Sequence, residues 1–225
     1  MNKVYIIGVG PGASEYMTGE AEEAVRKSDI VVGWEFDLLP PKSLINGKKV
    51  FLQEAGNYIK VAGEAADEAR KTGETVAVLR IGDPCISGGL NKLLEIFHDF
   101  EVDIVPGISS TQIAAATARI NLDESVLISF HENEEWTERN KIFMLDAYRQ
   151  KRHLIIISGP GHKPHENAVY LMKNGIGETT PVVVCESLSL EDEKIFRGTL
   201  KDTSIREFSW LSIMVVIYHD SRTGE

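Results

Sequence analysis

Three glycine-bearing turns in the first half of the chain contain the residues that could do chemistry. They are residues 4–12 (VYIIGVGPG), 76–84 (VAVLRIGDP) and 102–110 (VDIVPGISS). Each turn follows a short β-like run, and turns that follow parallel strands meet along one edge of a sheet, where α/β proteins bind small molecules. The spacing therefore predicts a small-molecule site formed largely by the backbone of these turns.

The first turn permits a dinucleotide-binding interpretation because its glycines follow a strand. A dinucleotide fingerprint needs its third glycine at the start of a helix whose N-terminal amides bind pyrophosphate. Here Pro11 removes an amide, and the helical pattern begins only near Thr18. Glu35, at the sequence distance of a ribose-binding acid, keeps an NAD-binding oxidoreductase as an alternative.

The second and third turns offer polar side chains. Asp83 stands between Gly82 and a proline, where its carboxylate either accepts hydrogen bonds from a ligand or stabilises its own turn. Ser109 and Ser110 precede an alanine-rich segment, and one of them is expected to cap that helix. The residue types alone leave both roles of Asp83 open.

Regular elements must position these turns. Hydrophobic periodicity in the first half predicts strands at residues 3–9, 30–33, 48–52, 75–80 and 102–105, and helices at 18–27, 58–71, 89–97 and from 109. Strand, crossover helix and strand in series predict a mostly parallel sheet with helices on both faces.

The second half has a different pattern. Strands are predicted at residues 125–130, 153–158, 182–186, 195–200 and 213–218, with helices at 136–150 and 165–174. Strands that follow one another without a helix between them predict antiparallel pairing and a mixed sheet. We therefore expect two α/β domains, residues 1–118 and 119–225.

Composition excludes several classes of protein. The formal net charge of −10 over 225 residues argues against broad nucleic-acid binding, which needs a basic surface. No apolar run reaches the length of a membrane span and no signal peptide precedes the first strand, so we expect a cytoplasmic protein without a membrane partner. Cys85 and Cys185 are isolated, and His162 and His165 lack a third ligand, so no metal site is expected.

In this order and at this spacing the three turns resemble those of the tetrapyrrole methylase family, S-adenosylmethionine-dependent enzymes that methylate uroporphyrinogen and precorrin rings. The matching motifs are GxGPGxxxxxT at residues 8–18, GDP at 82–84 and VPGIS at 105–109. The resemblance extends over essentially the whole chain, and it implies a methyltransferase with S-adenosylmethionine as its cofactor.

Within the family, two segments of the second half, 157–162 (ISGPGH) and 185–193 (CESLSLEDE), are similar to the branch that methylates cobalt-precorrin-7 at ring carbon 5. Uroporphyrinogen methyltransferases carry a Tyr-Asp-Arg-Leu segment after the second strand and a doubled glycine before the GDP aspartate. Residues 32–36 (VGWEF) and Ile81 depart from that pattern. Other precorrins, uroporphyrinogen, the protein substrate of diphthine synthases and a noncatalytic binding module are the alternatives.

The resemblance also implies an active-site cleft between the two domains, in which the cofactor is contacted mainly by backbone groups. In the first domain the contacting residues are Gly10, Pro11, Ile81, Gly82, Asp83, Ile86, Ser109 and Ser110, and in the second they are Ser158 and Leu188. It identifies no catalytic base.

The macrocyclic substrate carries several carboxylates, so basic side chains beside the turns are candidates to bind it. They are Arg80, Lys92, Arg119 and Lys163. The resemblance further implies a homodimer.

Overall fold

The computed structural model describes residues 2–86, 89–131, 134–159 and 161–219, without the side chains of residues 134–136. Pro160, in the segment 157–162 considered above, lies outside this set, as do Ser87 and Gly88 shortly after the GDP turn. Contacts divide the chain into two compact units, Met1–Ser109 and Ser110–Glu225. That division falls at the start of a helix, and the boundary expected after residue 118 falls at its end, so the domain boundary stays a prediction.

The first unit contains five parallel strands in the spatial order β3-β2-β4-β1-β5. The strands are β1 (Lys3–Gly8), β2 (Ile30–Gly33), β3 (Lys49–Leu52), β4 (Val76–Arg80) and β5 (Glu101–Val105). The three central strands are almost entirely buried, as expected for a parallel sheet covered on both faces.

Three helices cover this sheet: α1 (Gly19–Lys27), α2 (Tyr58–Thr72) and α3 (Leu90–Ile96). The buried alanines of α2 and the Leu93 side chain of α3 pack against one face of the sheet. They form a hydrophobic core there with strand residues that include Val4 and Val78. Helix α1 packs against the other face. Helix α2 ends at Gly73, whose φ of 77° is the left-handed conformation that terminates helices.

The second unit contains a mixed sheet in the order β6-β7-β10-β8-β9. Its strands are β6 (Ser125–Ser129), β7 (His153–Ile157), β8 (Pro181–Glu186), β9 (Lys194–Thr199) and β10 (Ser212–Val216). Only β6 and β7 pair in parallel, and the other three pairs are antiparallel.

Four helices cover the second sheet: α4 (Ser110–Ala118), α5 (Glu134–Arg149), α6 (Pro164–Lys173) and α7 (Leu200–Ser204). The alanines of α4 pack on one face against Ile155, Val183 and Val215. Residues of α5, α6 and α7 form the core on the opposite face. Small alanine side chains let α4 lie close to the sheet.

The predicted α/β class, the parallel first sheet and the mixed second sheet are confirmed. Helix α7 was not predicted, because the apolar pattern of β9 was extended into Leu200. A signal was present: Thr199 and Asp202 bond reciprocally, each side chain accepting from the other residue's backbone N–H. No helix within the described part of the chain is long and apolar enough to cross a bilayer.

Candidate functional site

The three predicted turns converge at the carboxyl ends of β1, β4 and β5. A Cβ atom added to Gly107 would lie 2.1 Å from the carbonyl oxygen of Gly82, and one added to Gly8 would lie 2.6 Å from the Gly107 nitrogen. Real Cβ atoms do not approach other atoms so closely. These glycines are therefore required because the backbones of the three turns are in direct contact.

Hydrogen bonds join the turns. The Gly82 N–H donates to the Gly10 carbonyl at 2.7 Å, and the Val9 N–H donates to the Arg80 carbonyl at 2.9 Å. The Asp83 carboxylate accepts from the Gly107 N–H at 3.0 Å through Oδ2. Three segments that are far apart in sequence thus form one backbone surface.

The two roles left open for Asp83 can now be compared. Its Oδ1 accepts from the Cys85 N–H at 2.8 Å, within its own turn, while Oδ2 binds Gly107. Both oxygens therefore stabilise the turns, and the structure favours that role for the side chain.

The predicted cofactor residues of the first unit lie in these turns. Gly10, Pro11, Gly82 and Ser109 are buried, whereas Ile81, Asp83 and Ile86 are partly exposed. Ser110, which was predicted with them, begins the second unit as the first residue of α4.

The first turn does not lead directly into a helix. A short 3-10 turn, Ser14–Tyr16, follows it, and α1 begins at Gly19. The Thr18 hydroxyl accepts from the Ala21 N–H at 3.1 Å and so occupies one of the amides at that helix end. The helix N-terminus that a dinucleotide fingerprint needs is absent from the glycine turn.

Asp37 directly follows the segment 32–36, and the sequence did not indicate a role for it. This carboxylate is 3% exposed and accepts hydrogen bonds from the N–H groups of Trp34 and Ile81 at 2.8 and 2.6 Å. Burial raises the pKa of Asp37, while these N–H groups and Arg80 act in the opposite direction. The segment after β2 departs from the Tyr-Asp-Arg-Leu pattern, but it does place a buried aspartate beside the GDP turn.

The predicted cofactor residues of the second unit follow β7 and β8. The Ser158 hydroxyl lies 2.8 Å from that of Ser212, and its N–H donates to the Ser212 carbonyl at 3.1 Å. Leu188 lies between Ser187 and Ser189, both with positive φ, and its side chain is buried among the residues that contact α4. The Ser158 side chain is hydrogen-bonded and the Leu188 side chain is packed within the second unit. Only their backbone groups are therefore available to a ligand.

The four basic candidates differ in their surroundings. Lys92 and Arg119 are exposed, and Lys163 is partly exposed at the N-cap of α6. Arg80 is only 8% exposed, and its Nη1 donates to Oε1 of the buried Gln53 side chain at 3.1 Å. Its guanidinium is thus engaged inside the first unit, which the sequence did not indicate.

A cavity of about 450 Å³ lies in the second unit beside β9. Its charged lining residues are two acids and two bases, Glu186, Glu207, Lys194 and Arg206. The Arg206 guanidinium lies over the Phe196 ring at 4.7 Å. Because the charges balance, the cavity has no evident preference for an anion. No group of three or more His, Cys, Asp or Glu side chains suited to a metal occurs among the described residues.

Comparison with known proteins agrees with these features. Residues 3–204 match the model of the tetrapyrrole (corrin/porphyrin) methylases. A probable cobalt-precorrin-7 C(5)-methyltransferase of Methanocaldococcus jannaschii is 36% identical over 94% of this chain and 96% of its own length.

Solved structures show the same fold. A precorrin-6Y methylase of Archaeoglobus fulgidus superposes with a TM-score of 0.70 at 26% identity, covering 97% of this chain and 99% of its own. A uroporphyrin-III C-methyltransferase of Thermus thermophilus, solved as a complex with S-adenosylhomocysteine, has a TM-score of 0.73 at 19% identity, covering 96% of this chain and 92% of its own.

The fold and the turns define an α/β protein with its candidate site at the carboxyl ends of parallel strands. The chain belongs to the tetrapyrrole (corrin/porphyrin) methylases. It is therefore a methyltransferase.

The turn residues fit a cofactor bound mainly by the backbone. The close approach of the Gly8, Gly82 and Gly107 backbones leaves no room for a side chain at Gly8 or Gly107. Ile81 and Ile86 are partly exposed beside them and offer apolar surface. Such a surface suits a nucleoside with an uncharged ring system better than it suits a pyrophosphate.

Proposed function

We propose that this protein methylates cobalt-precorrin-7 at ring carbon 5 in cobalamin biosynthesis, with S-adenosylmethionine as the methyl donor. The observation that carries the proposal is the 36% identity, over nearly the full length of both chains, to a relative with that name. The coverage matters because a match of a single motif would leave the substrate class open.

The cofactor site that we propose is the backbone surface of the three turns, with Gly10, Pro11 and Gly82 at its centre. Support comes from the convergence of the turns and from the hydrogen bonds that hold them together. Residues Ile81, Asp83, Ile86, Ser109 and Ser110 complete the proposed contacts in this part of the chain. The backbones of Ser158 and Leu188 are proposed contacts from the second unit.

When bound, S-adenosylmethionine supplies an electrophilic methyl group on a sulfonium. The chain's contribution under this proposal is orientation, because methyl transfer to an electron-rich ring carbon requires a closely aligned pair of reactants. Well-oriented reactants gain effective molarities of about 10⁵ M or more, which corresponds to several kcal/mol of barrier lowering. A rigid backbone surface suits this role, since its groups need no rearrangement during the reaction.

Lys92, Arg119 and Lys163 remain the basic side chains that we propose for the substrate carboxylates. Their exposure is compatible with that role. Replacing each with Gln would raise KM for the macrocycle and flatten its dependence on salt, because screened charge pairs weaken as ionic strength rises. A cytoplasmic location and a homodimer also belong to the proposal, and light scattering tests the dimer.

Binding of S-adenosylhomocysteine, measured by calorimetry with NAD as the comparison ligand, tests the cofactor site. We expect binding of the first ligand alone. Ile86→Ala should weaken it about fivefold, the equivalent of roughly 1 kcal/mol, since apolar contact area is lost. Leu94→Ala, on the exposed side of α3, is the matched control and should leave the affinity unchanged. Binding of NAD in place of S-adenosylhomocysteine would contradict the proposal.

Transfer of a ¹³C-methyl group, followed by NMR, tests the substrate. Cobalt-precorrin-7, cobalt-precorrin-4 and uroporphyrinogen III are supplied in parallel, and labelling of ring carbon 5 in the first is the expected result. Preferential labelling of either other ring would assign a different substrate within the family. Cofactor binding without transfer to any ring would contradict the proposed substrate class.

A further inference from the structure

A buried carboxylate links two loops of the first unit. Asp37 Oδ2 accepts from the Trp34 N–H at 2.8 Å, in the segment that follows β2. Its Oδ1 accepts from the Ile81 N–H at 2.6 Å, at the point where β4 ends and the GDP turn begins. Because β2 and β4 are neighbours in the sheet, one side chain connects the loops at their carboxyl ends.

The peptide group between Arg80 and Ile81 is bonded on both sides. Its N–H donates to Asp37, and its carbonyl oxygen accepts from the Val9 N–H at 2.9 Å, which belongs to the first glycine turn. A peptide plane with both polar groups bonded has little freedom to rotate. Gly82, with a φ of 71°, starts the turn directly after this plane.

Arg80 compensates the buried charge. Its Nη1 lies 4.0 Å from Asp37 Oδ2 and donates to Gln53 Oε1 at 3.1 Å. Gln53 is completely buried and in turn donates through Nε2 to the Tyr58 carbonyl at 2.9 Å. The guanidinium also lies over the Tyr58 ring, 5.3 Å from its centroid. Buried carboxylates persist when they are both paired and hydrogen-bonded, as Asp37 is here.

We infer that Asp37 and Arg80 are positioning residues that fix the direction in which the GDP turn leaves β4, through the locked peptide before Ile81. This role replaces the substrate contact predicted for Arg80, since its side chain is 9% exposed and engaged by Gln53 and Tyr58. An effect of these residues on cofactor affinity rests on the proposed function, whereas their effect on hydrogen exchange of the Ile81 amide does not.

Asp37→Asn tests the inference with a side chain of nearly the same size. The amide keeps one acceptor oxygen but turns an NH₂ group toward the second N–H and removes the negative charge beside Arg80. Hydrogen exchange should become faster in the segments that contain Trp34 and Ile81. Affinity for S-adenosylhomocysteine should fall about tenfold, the usual scale for one lost hydrogen bond to a charged group.

Asp29→Asn is a matched control at the opposite end of the same two strands. Asp29 Oδ2 accepts from the Thr75 N–H at 2.9 Å, so it joins the segments that precede β2 and β4. Its replacement also removes a hydrogen bond from a backbone N–H to a carboxylate, but at the end of β2 and β4 that is distant from the GDP turn. It should leave both the exchange of Ile81 and the affinity for S-adenosylhomocysteine unchanged.

A double variant separates positioning from charge balance. Asp37→Asn combined with Arg80→Met removes both charges, so it also serves if the single variant does not fold. A positioning role predicts that the Ile81 amide still exchanges quickly in the double variant. Recovery of slow exchange and full affinity there would show that Asp37 only balances Arg80, and would overturn the inference.

The two proposals fail in different ways. Unchanged exchange at Ile81 in Asp37→Asn overturns the positioning role, whatever the affinity. If the unaltered protein does not bind S-adenosylhomocysteine, the proposed function fails, and the exchange experiment still decides the role of Asp37.

Discussion

The glycine turns of the first unit and the connection between β8 and β9 in the second are stabilised in different ways. In the first unit three turns contact one another through backbone, and these contacts leave no room for a side chain at Gly8 or Gly107. In the second unit the loop after β8 is held by nearby acids: the Ser187 hydroxyl donates to Asp192, and the Ser189 N–H donates to Glu193. Parallel strands bring distant turns together, whereas the antiparallel pair β8 and β9 closes its own connection.

This difference explains why the sequence indicated the glycine turns of the first unit more clearly than the loops of the second. Where backbones must touch, glycine is the residue that fits, so the constraint is visible in the sequence. Where side chains of serine and acids hold a loop, many local sequences serve equally well. Amino-acid substitutions and chemical modification test this contrast, from the largest expected effect to the smallest.

Each unit contains one cysteine, and the difference in reactivity between the two thiols is the largest effect that we expect. Cys185 is 1% exposed in β8, and burial raises the pKa of its thiol to about 11. Cys85 is exposed beside Asp83. Alkylation of the native protein should modify Cys85 first and Cys185 at least ~1,000-fold more slowly, because Cys185 becomes accessible only on unfolding.

Peptide mass spectrometry after timed alkylation measures both rates, and Cys85→Ser is the control that isolates Cys185. Comparable rates at the two thiols would mean that the second unit opens far more readily than its packing indicates.

Close backbone approach should make two glycines essential, one in each unit. In Gly107→Ala and in Gly159→Ala the added Cβ would lie 2.1 Å and 1.9 Å from carbonyl oxygens of Gly82 and Phe130. We expect each to lose several kcal/mol of unfolding free energy, as overpacked sites do. Urea denaturation monitored by circular dichroism measures the loss.

Gly63→Ala provides the control, because nothing lies within 4 Å of its added Cβ in α2. It should stabilise the protein by about 0.5–1 kcal/mol, since glycine is unfavourable inside helices. If Gly159→Ala were as stable as the unaltered protein, backbone contact would be a property of the first unit alone.

The cap of α1 should have a smaller effect. Thr18→Ala removes the hydroxyl that accepts from the Ala21 N–H and should cost about 1 kcal/mol. The midpoint of urea denaturation measures this loss. Thr72→Ala, at the exposed end of α2, is the control and should change stability by less than about 0.5 kcal/mol. Equal losses in the two variants would contradict the capping role.

The smallest effect concerns an exposed ion pair between α2 and the segment after α3. Arg70 donates to both carboxylate oxygens of Asp99, at 2.9 and 2.7 Å, and lowers the pKa of Asp99 to about 2. A lowered pKa contributes stability above the ordinary value of the carboxyl group, and this contribution is lost as the pH falls toward 2.

Melting temperatures of the unaltered protein and Asp99→Asn should therefore differ slightly at pH 6 and converge between pH 4 and about 2. A difference that persists at the lowest pH would assign the effect to packing of Arg70 against the Phe100 ring.

Much of the fold could be predicted because strands and helices depend on short-range patterns. The predicted strand at residues 30–33 coincides with β2, and every predicted helix overlaps an observed one. Helix α7 was missed because it has only five residues, too few for a periodic pattern. The turns of the candidate site could also be predicted, since their glycines reflect a local backbone requirement as well as a tertiary one.

The positions of side chains in the site could not be predicted in the same way. Arg80 was expected to face a substrate and is instead engaged by Gln53 and Tyr58. Asp37 was overlooked because nothing in its immediate neighbours shows that it is buried. Both cases concern polar side chains with partners in segments that are distant in the sequence.

The amino-acid sequence by itself determined the order of strands and helices, the three glycine turns and the membership in a methylase family. Tertiary structure alone decided that Asp37 meets the Ile81 N–H, 44 residues further along, and that Asp83 meets the Gly107 N–H. The physical reason is the spatial order β2-β4-β1-β5, which places these strand ends side by side. Periodicity specifies which residues face a core, but pairing between strands specifies which loops meet.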